Sequence, residues 1–385
     1  MHIYGNDNPP VALKAQQLQP YAFERKALID ARKEQYFGQL SNTKAMPKNS
    51  GKTIKQYHYL PILDDRNIND LGLDAKGAKY ADGNLYGSSK DVGTIPSKFP
   101  VLSETGGKVN RVGVTRRTIE SNLEKFGFYT DFSTDLLALD SDAELLSHIT
   151  RELMNAAVEI QEDLLQKDLL NAAGTVRYAG TATSNATLTA TSVLTYNDLM
   201  RLTIDLDNAR CSKQTTVITG TRLVDTKTIP SCRVAFVGSE LIPTLEAMQD
   251  PHNRPALVPV QQYAAGTTVL NGEYGAIAGF RIVVVPEMMK WAGKGAASSD
   301  PSFYLTGGNF DVFPFLVVGA DSFVDIGFQT DGKSNKFKTI MKKGDELADM
   351  NNPYGDVGFS SIKWWYGFMA LRPEWIGLIK CTAKL

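Results

Sequence analysis

Residues 141–173, SDAELLSHITRELMNAAVEIQEDLLQKDLLNAA, place apolar side chains at steps of three and four: Leu146, Ile149, Leu153, Ala157, Ile160 and Leu164. That spacing matches the 3.6-residue turn and predicts an α-helix with one apolar stripe. Ser141 and Glu144 form an S-x-x-E capping pattern. Gly174 stands at the C-terminal stop. Asp163 and Lys167 add an acid-first i,i+4 pair. At 1.5 Å per residue the helix is roughly 50 Å long, against an average helix of about 11–12 residues. A rod of that length acts as an axis on which the rest of the chain must be arranged.

What flanks the rod is uneven. The first 50 residues read as an arm: residues 11–40 have helical composition, interrupted by Pro20, and short isolated helices are marginal in water. Residues 52–63, KTIKQYHYLPIL, read as a strand rich in β-branched and aromatic residues. Ile54, Leu60 and Ile62 lie on one face and Tyr57 and Tyr59 on the other, so both faces call for contacts. Residues 64–107 are dense in glycine and polar turn residues; a second extended stretch follows with Val109, Val112, Val114, Thr115 and Thr118. The two stretches predict a long two-stranded excursion, which needs a partner surface because a lone hairpin is marginal.

Beyond the rod, a helix is predicted at 196–210, capped by Asn197 or Thr195. Strands are predicted at 216–219, 234–237 and 280–285, a short helical piece at 241–248, and two strands within 310–328 around Gly319–Ala320. Near the C-terminal side Ile362, Trp364, Tyr366, Phe368 and Ala370 alternate, which predicts a core strand returning to a central sheet. The mixture defines an α+β chain. Its 385 residues exceed the roughly 250–300 at which single cores split.

Charge and cysteine content narrow the function. Lys plus Arg number 41 and Asp plus Glu 42, so the basic excess that drives phosphate gripping is absent overall. Cys211, Cys232 and Cys381 are scattered and odd in number, which argues against a disulfide framework and fits synthesis in a reducing cytoplasm. The apolar runs at 282–286 and 313–318 are far short of the ~20 residues that span a bilayer, so no membrane partner is expected.

A search for chemistry finds no site. His2, His58, His148 and His252 form no HxH or HExxH pattern, and His148 reads as a packing or surface residue. Gly51-Lys52-Thr53 lacks the first glycine of a P-loop, because position 46 is Met46; it reads as a polar turn leading into a strand. Carboxylates such as Asp64, Asp65, Asp140, Asp142, Glu162 and Asp163 read as solvating loops or helix faces. No catalytic residue, cofactor or metal site is expected.

The order of parts resembles the major capsid proteins of tailed phages, the fold named after coliphage HK-ninety-seven. Local segments look closer still to the capsids of N-four-like phages. They are PKNSGKTIKQYHYLPIL (47–63), DLLNAAG (168–174), VAFVGSELIPTLEAM (234–248), VPVQQYAAGTTVLNGEYGAIAGFRIVVVPEM (258–288) and PYGDVGFSSIKWWYGFMALRPEWIGLIK (353–380). Residues 64–107 and 289–302 depart from that pattern.

The resemblance implies an N-terminal arm at 1–50, an extended β loop at 51–118 and a peripheral domain with the spine helix at 119–194. An axial domain at 195–350 and returning strands at 351–385 complete it. It implies a homo-oligomeric icosahedral shell of pentamers and hexamers in the virion. That shell encloses double-stranded DNA without sequence-specific binding, with scaffold, portal and decoration proteins as further partners. Ile54, Tyr57, Tyr59, Leu60, Val112 and Val114 are the expected inter-subunit contacts. A nanocompartment shell of the encapsulin type and an α+β enzyme with an unrecognised site are the alternatives. Large assemblies would separate shells from the enzyme, and particle size and content would separate the two shells.

Overall fold

The computed structural model describes residues 36–40, 42–46, 51–59, 116–135, 145–218, 226–262, 269–328, 337–347 and 353–385. In chain order it begins with β1 (Asn42–Met46), β2 (Thr53–Tyr59), β3 (Arg116–Asn122) and β4 (Glu124–Ser133). Then come α1 (Leu145–Ala172), β5 (Thr175–Tyr178), α2 (Tyr196–Asn208), β6 (Gln214–Ile218), β7 (Thr226–Gly238) and α3 (Ile242–Glu246). They are followed by β8 (Val258–Pro259), β9 (Glu273–Ile277), β10 (Phe280–Val285), β11 (Leu305–Thr306) and β12 (Asn309–Phe310). The last strands are β13 (Phe313–Val318), β14 (Phe323–Phe328), β15 (Phe337–Lys342), β16 (Val357–Ala370) and β17 (Ile376–Cys381).

Eight strands form one mixed sheet in the order β5-β17-β13-β7-β10-β9-β8, with β6 paired to β7. Its central strands are buried on both faces, which explains the apolar runs FPFLVV and, after the buried Arg281, IVVV. On one face Leu199, Leu202 and Leu206 of α2 pack against Ala235, Val237, Ile282 and Phe315. On the other face Leu165 and Leu169 of α1 pack against Phe236, Val283, Leu316 and Leu378. Each such side chain is worth about 1.5–3 kcal/mol when fully buried. Thr195 is the cap of α2: its side chain accepts from the Asp198 N–H, while Asp198 Oδ2 accepts from the Thr195 N–H at 3.2 Å.

A second sheet has the order β1-β14-β16-β15, with β4 also paired to β16. β16 is its axis. Val357–Tyr366 pairs with β4, Phe359–Trp364 with β15, and Gly367–Ala370 with β14. Ile362, Trp364 and Tyr366 are buried on the face that meets α1, against Ile149, Leu153, Ala157 and Leu164. The predicted alternation holds at Ile362, Trp364 and Tyr366; beyond them Phe368 and Ala370 are half-buried and Met369 is buried, because Ile54 of β2 and Ile119 of β3 cover the other face there. The long rod bridges the two sheets, its N-terminal part on the second and its C-terminal part on the first.

The rod differs from expectation at Ile160 and Gly174, and its expected cap is not among the described residues. The described helix runs Leu145–Ala172, and its capping residues 141–144 lie outside the described residues. Ile160 is 39% exposed and falls off the stripe. In the C-terminal half burial moves to Leu165 and Leu169, because the helix there is covered from a second side. Gly174 is not left-handed. It is required by proximity instead, since a Cβ would sit 2.7 Å from the Pro373 carbonyl. Its N–H donates to that oxygen at 2.9 Å.

Candidate assembly surfaces

The ribbon of β2 and β3 pairs Thr53 with Asn122 at its base and Tyr59 with Arg116 at its far end. Its base is fastened to the second sheet. Ser121 Oγ donates to the Phe368 carbonyl at 2.7 Å, and the Leu123 N–H donates to the Lys52 carbonyl at 2.9 Å. Ile54 and Ile119 pack on Leu123, Val324, Ile326 and Met369. Gly367 lies beneath, where a Cβ would come within 3.2 Å of the Asn122 carbonyl oxygen. The opposite face of the ribbon is open. Tyr57 is 55% and Tyr59 61% exposed. The Arg116 guanidinium lies 4.1 Å from the Tyr57 ring centroid, a cation–π contact. Lys55 and Glu120, directly opposite, pair at 2.6 Å; the pair is exposed and contributes little to stability.

Of the six contact residues expected from sequence, Tyr57 and Tyr59 present free ring surface, while Ile54 is half-buried against its own subunit. Leu60, Val112 and Val114 lie outside the described residues. Gly51, at φ +82°, opens a polar turn into β2, as its sequence suggested.

A second fastening point went unseen in the sequence. Residues 36–40, inside the stretch read as an arm, are part of the body. Phe37 is buried, 4.5 Å from the Phe236 ring, and Tyr36 and Leu40 join the same cluster. Gln39 exchanges two bonds with the Asn271 backbone, at 3.3 and 3.2 Å. The anchor is Glu162 on α1, whose carboxylate accepts the N–H groups of Phe37 at 3.0 Å and Gly38 at 3.2 Å. Glu162 is 5% exposed, which corrects its reading as a solvating carboxylate. Burial pushes its carboxyl up to about 7, against the pull of the backbone donors. β1 then runs parallel to β14, from Asn42 beside Val324 to Met46 beside Phe328.

No cluster of three His, Cys, Asp or Glu suited to a metal exists among the described residues. None of their helices is long and apolar enough to cross a membrane. His148 sits on α1 with its Nδ1 2.7 Å from the Arg151 guanidinium, a packing role.

The α+β fold, with a fastened ribbon and a spine helix, is the fold of phage capsid subunits. The chain superimposes on the capsid of Ralstonia phage GP4 with a TM-score of 0.63, at 12% identity, covering 100% of this chain and 99% of that one. It matches the capsid of Cyanophage Pam1 with a TM-score of 0.53, at 13% identity over 95% and 96% of the two chains. The chain belongs to the phage capsid protein family, whose model matches residues 116–381. The major capsid protein of Pseudomonas phage KPP21 is 54% identical over 373 residues, 96% of this chain and 94% of that protein.

Proposed function

We propose that copies of this chain clasp one another through the β2–β3 ribbon and the N-terminal arm to build an icosahedral phage head of pentamers and hexamers. The chain is a major capsid protein and a structural component of the virion. The single observation that carries this is the 54% identity to a major capsid protein across nearly the whole length of both chains. The open ribbon face with Tyr57 and Tyr59 gives the reading a physical basis. Residues 1–35 serve as arm, with 36–40 and β1 fastened to the body, 51–118 as extended loop, 119–194 as peripheral domain, 195–350 as axial domain and 351–385 as returning strands. Tyr57, Tyr59, Leu60, Val112 and Val114 contact neighbours, with Ile54 setting the ribbon's base.

The shell encloses double-stranded DNA without gripping it, in keeping with the near-balanced charge. It has no catalytic activity. The protein is made in the host cytoplasm and works beside portal, scaffold and decoration proteins. Several interfaces of ordinary size, about 1,200–2,000 Å² each, add up to a stable shell by multivalency. Negative-stain microscopy and size exclusion of the purified protein test the reading. Closed particles are expected, and a compact monomer at micromolar concentration would overturn it.

A further inference from the structure

Residues 36–40 and β1 are tied to the body at three places. The Tyr36 ring lies against Gly272, where a Cβ would come within 2.5 Å of it, and Gln39 bonds the Asn271 backbone beside it. β1 pairs along β14. The third tie is Glu162 of α1, whose two oxygens accept the Phe37 and Gly38 N–H groups. Of these ties only Glu162 can change its charge.

The charged groups that face Glu162 are acidic. β14 brings Asp325, 3% exposed, which takes a bond from Gln161 Nε2 at 2.9 Å. β16 brings Tyr366, whose hydroxyl donates to Asp168 Oδ2 at 2.7 Å. On α1 itself Glu159 and Asp163 are half-buried and Lys167 is exposed. On the turn that carries Asn271, Glu273 is matched by Arg281 at 3.5 Å. β6, which also packs on residues 38–40, carries no charged residue. Burial first, and then the like charge of Asp325, holds the Glu162 carboxyl up against its backbone donors. A neutral carboxyl still has an acceptor on each oxygen, so a proton leaves both N–H contacts in place. Ionisation instead puts a charge beside Asp325 in a site closed to water, and lifting residues 36–40 away hydrates it.

We infer that residues 36–40 and β1 form a proton-controlled latch: a proton on Glu162 holds them on the body, and its loss releases them. Release bares two surfaces at once, the apolar seat of Phe37 beside Phe236 and the edge of β14 that β1 covers. An uncovered strand edge is a template for pairing. The latch belongs to the single chain and goes beyond the shell reading, because it gives each subunit one form with that edge closed and one with it open.

Hydrogen–deuterium exchange tests the latch on full-length subunits, separated from any particles by size exclusion. Mass spectrometry reads the Phe37 and Gly38 amides, with rates corrected for the intrinsic pH dependence of amide exchange. Their protection is expected to fall about tenfold between pH 6 and 8, the change that follows when a carboxyl sits near 7 closed and 4.5 open. Amides of β13 are expected to stay more protected than the latch throughout, because the body remains folded while the latch opens. E162Q keeps one acceptor and no charge. Its latch amides are expected to be less protected at pH 6 than those of wild type and to show no change with pH. The wild-type series decides alone if that variant does not fold. Protection that is constant or rises with pH in wild type overturns the inference. So do an equal fall in E162Q and latch amides as protected as those of β13, since the segment would then leave only when the whole body unfolds.

Discussion

The backbone N–H of Phe37 donates to Glu162 Oε2 at 3.0 Å, joining two residues 125 positions apart. A buried carboxylate that accepts two backbone N–H groups does what a cap side chain does for the first turn of a helix. Here it fixes residues 36–40 on the body.

Glu162 makes that junction proton-sensitive. Its folded carboxyl is raised to about 7 from an ordinary value of 4.5. Between those values the folded state holds a proton that the unfolded chain has lost. Its contribution to stability is therefore full below about pH 4.5 and is lost as pH rises through about 7, at up to roughly 1.4 kcal/mol per pH unit. Chemical denaturation of wild type and Glu162→Gln from pH 5 to 8 checks this. The wild type loses stability relative to the variant as pH rises, and parallel curves would refute it.

Phe37→Ala empties a fully buried site against Phe236. A loss of about 3–5 kcal/mol is expected, the range for large aromatic truncations in a core. Urea unfolding monitored by near-UV dichroism measures it. Proteolysis at the N-terminal side should accelerate in step.

Gly174→Ala pushes a methyl group to 2.7 Å from the Pro373 carbonyl carbon and oxygen. Backbone rather than a flexible side chain must yield, so a cost of about 1–3 kcal/mol is expected from overpacking. A melting point unchanged within a degree would show that the α1–β5 turn adapts freely.

Tyr57→Ala with Tyr59→Ala removes side chains that are mostly in solvent within the subunit. The isolated body should keep its stability within about 0.5 kcal/mol, as surface changes do. Particle yield should fall several-fold, and equal losses in both readouts would place the tyrosines in the core instead.

All three cysteines are buried, and burial raises each thiol, Cys232 to about 11. Native protein should take up no iodoacetamide at pH 8, and all three should react in guanidinium, as read by mass spectrometry.

Sequence periodicity reached the elements whose burial is decided along one strand or one helix face. Leu153, Ala157 and Leu164 announce the rod, FRIVVV announces β10 at its observed bounds, and Trp364 with Tyr366 announces β16. β4 escaped because EKFGFYTDFS has aromatic residues on both faces, Phe126 and Phe128 inward and Tyr129 outward. β7 was seen only at its fully buried C-terminal end, 234–237, although it spans Thr226–Gly238 and includes Pro230. Glu162 escaped for a different reason. Its partners are main-chain N–H groups of a distant segment, which leave no pattern in side-chain identity. Lys338 and Lys363 likewise become neighbours only through register, which neither strand shows alone.

β16 pairs with β4, β14 and β15, and every one of those partners precedes it in the chain. β17, which follows, does the same between β5 and β13. On the ribosome, then, each sheet waits open until its keystone emerges. Pairings over such separations are slow to close. A nascent subunit short of residue 357 therefore lacks the strand that joins β4, β14 and β15, and its second sheet closes only once synthesis has passed β16.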